Sequence, residues 1–141
     1  TYEVARSLAR AYPGVTVLRT HRNAGTYVAK NLGLTMARGR YVTFQDCDDL
    51  SHPERLARQL AALQGEPARV ATSCHYARID EDSGELLLNR GERSRPGLIS
   101  LMVDWPRVRD AVGFFDSVRV NADDEFKTRI RRVFGPGALA E

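Results

Sequence analysis

Two cysteines in 141 residues, Cys47 and Cys74, are too few for a disulfide framework and have no metal-ligand spacing. No apolar run approaches the ~20 residues that a bilayer span requires, and there is neither a leader-like segment nor a lipidation motif. The expectation is a cytoplasmic protein with reduced thiols, any membrane association being carried by parts outside this chain. Charge of one sign is also scarce, since the net charge is only +3. The one dense basic cluster, Arg129-Ile130-Arg131-Arg132, reads as a solvated helix face, so nucleic acid is not an expected partner. A hydrophobic share of 43% with 28% charged residues excludes wholesale disorder and predicts a single domain over residues 1–141. Repeats and low-complexity tracts are absent.

What the chain does have is Tyr41-Val42-Thr43-Phe44-Gln45-Asp46-Cys47-Asp48-Asp49. Its first half alternates β-branched and aromatic residues and predicts a buried strand. Asp46, Asp48 and Asp49 follow at the strand's C-terminal end, where an open α/β sheet binds its ligands. Carboxylates this close repel one another unless a cation intervenes. Mg²⁺ or Mn²⁺, completed by phosphate oxygens and water, suits such hard oxygen donors. Zinc does not, because His52 is the one imidazole nearby and Cys47 has no metal-ligand spacing with it or with Cys74. A calcium loop of the EF-hand type fails too, with Leu50, Ser51 and Ala57 at its fifth, sixth and twelfth positions. The plainer alternative is that Asp46 and Asp49 cap the next helix and pair with arginines.

Around this segment the periodicity predicts α/β alternation. Helical spacing covers Thr1 to Ala11, with Val4, Leu8 and Ala11 on one side, and Tyr12-Pro13-Gly14 stops it. Val15 to Leu18 reads as a short strand. After the Asn23-Ala24-Gly25 turn, Thr26 is placed to cap a helix to about Ala37, with Val28, Leu32 and Met36 inward and Gly39 as its left-handed terminus. Ser51 and Glu54 have capping-box spacing ahead of a helix carrying Leu56, Leu60 and Leu63 and ending at Gly65. A strand over Ala68 to Ile79, a turn over Asp80 to Gly84 and a strand over Glu85 to Leu88 predict a hairpin. Arg90 to Pro96 reads as a mobile loop and Leu98 to Val103 as a strand. Asp104 is placed to cap a short helix over Pro106 to Val112. A last helix is predicted over Asn121 to Phe134. The order opens on a helix where a doubly wound sheet opens on a strand, so strands are expected ahead of Thr1.

Asp46-Cys47-Asp48 also has the form of an Asp-nucleophile phosphatase site, with Asp123-Asp124 as its distant acidic pair. Against it, Asp49-Leu50 follows the second Asp where a small turn residue belongs, and no serine or lysine stands at another strand end to hold phosphate. Nucleotidyl transfer would call for an early glycine-rich basic loop, which the chain lacks.

Taken together, His21-Arg22-Asn23-Ala24-Gly25, Ala29-Lys30-Asn31, Ala37-Arg38-Gly39-Arg40-Tyr41-Val42, Asp46-Cys47-Asp48-Asp49 and Pro53-Glu54-Arg55-Leu56 resemble the inverting family 2 glycosyltransferases. Further on, Ser100-Leu101-Met102, the run from Gly113 to Arg119, and Asn121-Ala122-Asp123-Asp124-Glu125-Phe126 with Arg129 four residues past Glu125 are similar to the same family. The resemblance implies a GT-A fold, Rossmann-like, with a mostly parallel sheet flanked by helices and here lacking its N-terminal strands. It also implies transfer of a sugar from a nucleotide-sugar donor to a saccharide or lipid-linked acceptor, with inversion, in polysaccharide or surface-glycan synthesis. Asp48 and Asp49 are then the metal-binding residues, with Asp46 and Asp48 also meeting the donor. Asp123 is the general base, with Asp124 and Glu125 as alternatives because Ala122 stands where the family often has Glu. Asn23, Gly25 and Asn31 are candidate donor-binding residues, although Asn23 and Gly25 equally fit a plain turn; His75 and Trp105 are candidate acceptor contacts, with a satisfied polar position or core packing the favoured reading of both. A non-catalytic binding module on the same fold stays open beside the enzyme.

Overall fold

A computed structural model describes residues 2–88, 91–118 and 121–141. Thr1, Arg90 and Arg119 fall outside the described residues, and with them the first residue of the expected loop and the last of the Gly113 to Arg119 run. The elements are α1 (Tyr2–Ala11), α2 (Thr26–Met36), β1 (Tyr41–Thr43), α3 (Arg55–Gly65), β2 (Ala71–Tyr76), β3 (Arg78–Ile79), β4 (Leu86–Leu87), β5 (Arg95–Asp104), α4 (Trp105–Ala111) and α5 (Ala122–Phe134). A 3-10 turn, Pro136–Ala138, then leads into β6 (Leu139–Ala140).

One sheet has the order β1-β5-β2-β6, and β3 with β4 forms the expected hairpin beside it. Strands β1, β2 and β6 run in one direction, while β5 lies antiparallel between β1 and β2. The α/β, GT-A-like architecture is therefore present. The expectation of a mostly parallel sheet holds for strand direction and is corrected for the neighbours, because β5 opposes both strands it touches. The cause is the connection from β2 to β5: among the described residues it holds the β3–β4 hairpin and no crossover helix, and a chain that turns back without a crossover returns antiparallel.

Trp105, Val108, Phe115, Phe126 and Ile130 meet Val70, Leu101 and Val103 of the sheet region in one buried cluster. Helix α3 covers the sheet with a polar residue at its centre. Gln59, 3% exposed, donates to the carbonyls of Ser100 (2.7 Å) and Thr72 (3.3 Å). Those acceptors flank the register shift between Thr72 and Cys74, where β2 and β5 are not evenly paired. The shift also brings Cys74 O within 2.8 Å of where a Cβ on Gly97 would stand, so only glycine fits there.

Several expectations are corrected. Residues 15–18 join no sheet, and Val15 and Leu18 are exposed; a β-rich run without a partner strand has no ladder to join. Thr26 is the first residue of α2, whose cap is Gly25 at φ 89° with no side-chain bond. Leu32 and Met36 are exposed while Leu34 is buried, so the inner face of α2 is rotated from the expected one. Ala37, extended at ψ 127°, ends that helix, and Gly39 has no positive φ. The capping box does not form: the Ser51 hydroxyl bonds Gln45 Oε1, the Glu54 N–H bonds His52 Nδ1 at 3.2 Å, and α3 begins at Arg55. Leu56 is 52% exposed because Gln59 and Leu63 take the inward positions. Asp104 pairs with Arg40 at 3.0 Å and makes no side-chain cap. Helix α1 buries none of its residues, and no described element covers its apolar side.

Candidate functional site

The loop leaving β1 carries the first acidic cluster. Gln45 orders it, donating from Nε2 to the carbonyls of Asp46 (3.2 Å) and Asp49 (2.9 Å), while the Asp49 N–H reaches Asp46 O at 3.3 Å. Asp46 Oδ1 lies 3.1 Å from Lys30 Nζ, and the ammonium also sits over the Phe44 ring at 5.6 Å. Burial, and then the like charges of Asp48 and Asp46, push the Asp49 carboxyl above its ordinary range; Lys30 pulls the other way and does not prevail. Lys30 thus answers one of the three carboxylates, and Asp48 and Asp49 are left without an ion-pair partner among the described residues. Asp49 lines a cleft of about 580 Å³ with Gln45, Ser51, His52, Arg55 and Leu56. Among the described residues no three His, Cys, Asp or Glu side chains form a ligand set. A cation here would take one or two carboxylates from the loop and its remaining oxygens from substrate and water.

The second acidic cluster opens α5. Asn121, at φ 63°, turns the chain into the helix, and Asp123, Asp124 and Glu125 occupy its first turn. Glu125 is held through both oxygens by Arg129, at 2.6 and 2.7 Å. The same guanidinium donates to the carbonyls of Val112 (2.7 Å) and Phe114 (2.8 Å). That is a structural clamp between α5 and the loop before it. Asp124 is exposed, and its N–H bonds Asp123 Oδ1 at 3.1 Å. Asp123 is half-buried and accepts from the Tyr27 hydroxyl at 2.8 Å.

Helix α2 joins the two clusters. Tyr27, Lys30 and Asn31 stand three and four residues apart, hence on one side of the helix. Tyr27 meets Asp123, Lys30 meets Asp46, and Asn31 grips the backbone of Phe115, donating to its carbonyl (2.8 Å) and accepting from its N–H (3.0 Å). Beneath lie four rings: Phe115 touches Tyr27, Phe44 and Phe126 at centroid distances of 5.7, 5.4 and 4.4 Å. Phe115→Ala should therefore lower unfolding stability by about 3–5 kcal/mol, the range for emptying a buried aromatic site. Denaturant unfolding checks it; a loss near zero would mean that the rings do not hold the clusters together.

The other predicted site residues are placed separately. Asp46, Asp48 and Asp49 share the β1 loop, with Asp46 committed to Lys30. Asn31 is occupied with Phe115. Asn23 and Gly25 make a tight turn, Asn23 Oδ1 accepting from the Gly25 N–H at 3.2 Å, beside a cleft of about 420 Å³ lined by Arg19, His21 and Arg22. Trp105, at 2% exposure and edge-on to Phe114, belongs to the core, as the favoured reading has it, and is not an acceptor contact. His75 is exposed on β2, 3.2 Å from Ser94 Oγ. Sequence reasoning missed Tyr27 and Gln45. Tyr27 was in principle findable, as a polar-tipped ring one turn before Asn31; no signal marks Gln45.

The sequence profile of Glycosyl transferase family 2 matches residues 1–127. Three curated relatives carry similar segments. The chain is 45% identical over 51 residues to YibD of Escherichia coli (strain K12), named an uncharacterized glycosyltransferase; this is 36% of the present chain and 14% of that protein. It is 36% identical over 59 residues to the succinoglycan biosynthesis protein ExoO of Rhizobium meliloti (strain 1021), covering 42% and 17% of the two chains. It is 31% identical over 65 residues to the glycosyltransferase AglE of Haloferax volcanii, covering 46% and 21%. The matched stretches are about a fifth or less of those relatives' own length. With 127 of 141 residues under the family profile, and with an α/β fold that presents one acidic cluster after β1 and the other at the start of α5, the chain belongs to glycosyl transferase family 2.

Proposed function

We propose that the whole protein moves a sugar from a nucleoside diphosphate donor to a hydroxyl of a saccharide or lipid-linked acceptor, with inversion, in the assembly of a polysaccharide or surface glycan. Family membership supports sugar transfer, and the name of the ExoO relative supports the polysaccharide setting. The observation that carries the chemical assignment is helix α2, one side of which contacts Asp46 of the first acidic loop and Asp123 of the second. Asp48 and Asp49 would hold Mn²⁺ or Mg²⁺, as their hard oxygens and the uncompensated charge around Asp49 favour. Such an ion would neutralise the departing diphosphate. Asp123 accepts the proton of the acceptor hydroxyl as that oxygen attacks the anomeric carbon from the face opposite the leaving group. Lys30 stays on Asp46 and keeps the loop's charge from accumulating further. A cytoplasmic location, where nucleotide sugars are made, belongs to the same proposal. Among the described residues no helix is long and apolar enough to cross a membrane.

The test uses the whole protein with UDP-, GDP- and dTDP-linked hexoses in the presence of Mn²⁺, reading released nucleoside diphosphate. Release from one of them, with no turnover of an aryl phosphate, is the expected outcome. Aryl phosphate turnover that Asp46→Asn abolishes would move the assignment to phosphatase chemistry. Nucleotide binding with no release from any donor would leave a binding module.

A further inference from the structure

Asp123 is held asymmetrically. The Tyr27 hydroxyl (2.8 Å) and the Asp124 N–H (3.1 Å) both donate to Oδ1, and no hydrogen bond among the described residues falls on Oδ2. Tyr27 is itself fixed. Its ring packs on Phe115 at 5.7 Å, and Asn31, four residues on, holds the Phe115 backbone at both its N–H and its carbonyl. The hydroxyl therefore reaches the carboxylate from a ring with little freedom, across 96 residues of sequence.

We propose that Tyr27 is a positioning residue for the reaction, pinning Asp123 Oδ1 so that Oδ2 is the oxygen presented to the acceptor hydroxyl. The inference rests on Asp123 being the base. A carboxylate on a short side chain rotates about two bonds, and one fixed oxygen removes most of that freedom before the acceptor arrives. Burial, followed by the adjoining Asp123, pushes the Tyr27 phenol up to about 12, so it remains protonated and a donor at neutral pH. The Lys30 and Asn31 contacts on the same helix belong to the first acidic loop and to Phe115, which leaves the Asp123 contact to Tyr27 alone on α2.

The experiment compares Tyr27→Phe, Asp123→Asn and the double variant in the whole protein, with release of nucleoside diphosphate from UDP-, GDP- and dTDP-hexoses as the readout. Tyr27→Phe keeps the ring and should lower kcat about 10–100-fold, the scale of a misplaced catalytic group. The donor KM should stay within about threefold, since the interaction lost is not one with the donor. The thermal midpoint of Tyr27→Phe, measured alongside, should stay close to that of the wild type. The double variant should be no slower than Asp123→Asn alone, because the hydroxyl acts only through that carboxylate. Losses that multiply in the double variant, or a Tyr27→Phe kcat equal to wild type, overturn the proposal while leaving the base assignment intact. Wild-type turnover by Asp123→Asn overturns the base assignment itself, and Tyr27 falls with it.

Discussion

Asp123→Asn should reduce sugar transfer by roughly 10²–10⁴-fold, the contribution of a positioned general base, while nucleoside diphosphate binding stays near wild type. The choice among three adjacent acids is made by their partners. Glu125 has both oxygens on Arg129, and that guanidinium also carries the carbonyls of Val112 and Phe114. Freeing Glu125 for proton transfer would release the clamp that fixes the start of α5. Asp124 is exposed, away from the aromatic cluster. Asp123 is half-buried, oriented at one oxygen and open at the other, which is the arrangement a base needs. Asparagine is nearly isosteric and can still accept from Tyr27 through its carbonyl oxygen, so the fold should survive the change. Glu125→Gln is the informative contrast. It should weaken the Arg129 clamp and lower the thermal midpoint, with a smaller effect on kcat than Asp123→Asn. Transfer that persists in Asp123→Asn would place the base at Asp124, at Glu125 or outside residues 1–141.

How far the sequence announced this arrangement depends on the kind of signal. Elements with strong periodicity or punctuation stand where expected: α1, the β3–β4 hairpin closed over Asp80 to Gly84, α3 ending at Gly65, and α5 to Phe134. The acidic loop after β1 was legible because a strand running into three carboxylates is improbable without a use for them. Inner faces were less legible. Gln59 is the central buried contact of α3 because the bulge between β2 and β5 leaves carbonyls that a leucine would have stranded, and a pairing defect cannot be read from the pattern of α3. The antiparallel course of β5 depended on the absence, among the described residues, of a crossover helix between residues 76 and 95, a topological fact that strand propensity does not carry. Caps failed for a related reason. Ser51, Thr26 and Asp104 have the right chemistry for N-caps, but Ser51 bonds Gln45, Asp104 bonds Arg40, and Gly25 rather than Thr26 takes the cap position of α2. The Tyr27–Asp123 contact joins positions 96 residues apart, and only the folded chain reveals it.

Asp48→Asn combined with Asp49→Asn should abolish Mn²⁺-dependent nucleotide binding and leave the metal-free fold as stable as before or more so. The opposite signs follow from the charge balance of the loop. Three carboxylates lie within four residues and one ammonium answers them, at 3.1 Å from Asp46. Asp49 pays for the imbalance, its carboxyl held above the ordinary range by burial first and then by the negative charges of Asp48 and Asp46. Removing two charges relieves that repulsion, so thermal unfolding without metal should show an unchanged or higher midpoint. The same removal takes away the hard oxygen donors through which a divalent ion would be held, and neutral amide oxygens bind such ions far more weakly. Asp46→Asn should behave differently: it frees Lys30 beside the loop and should weaken metal binding less than either neighbouring change. Calorimetric titration with Mn²⁺ alone, and then with Mn²⁺ and UDP or GDP, separates the two variants. If the double variant still binds nucleotide in a Mn²⁺-dependent manner, the ion is held elsewhere and the charge crowding at Asp49 is only a local cost of the loop. If it loses binding and its metal-free midpoint also falls, the carboxylates serve the fold through contacts with their own loop, and the assignment of the ion to Asp48 and Asp49 fails.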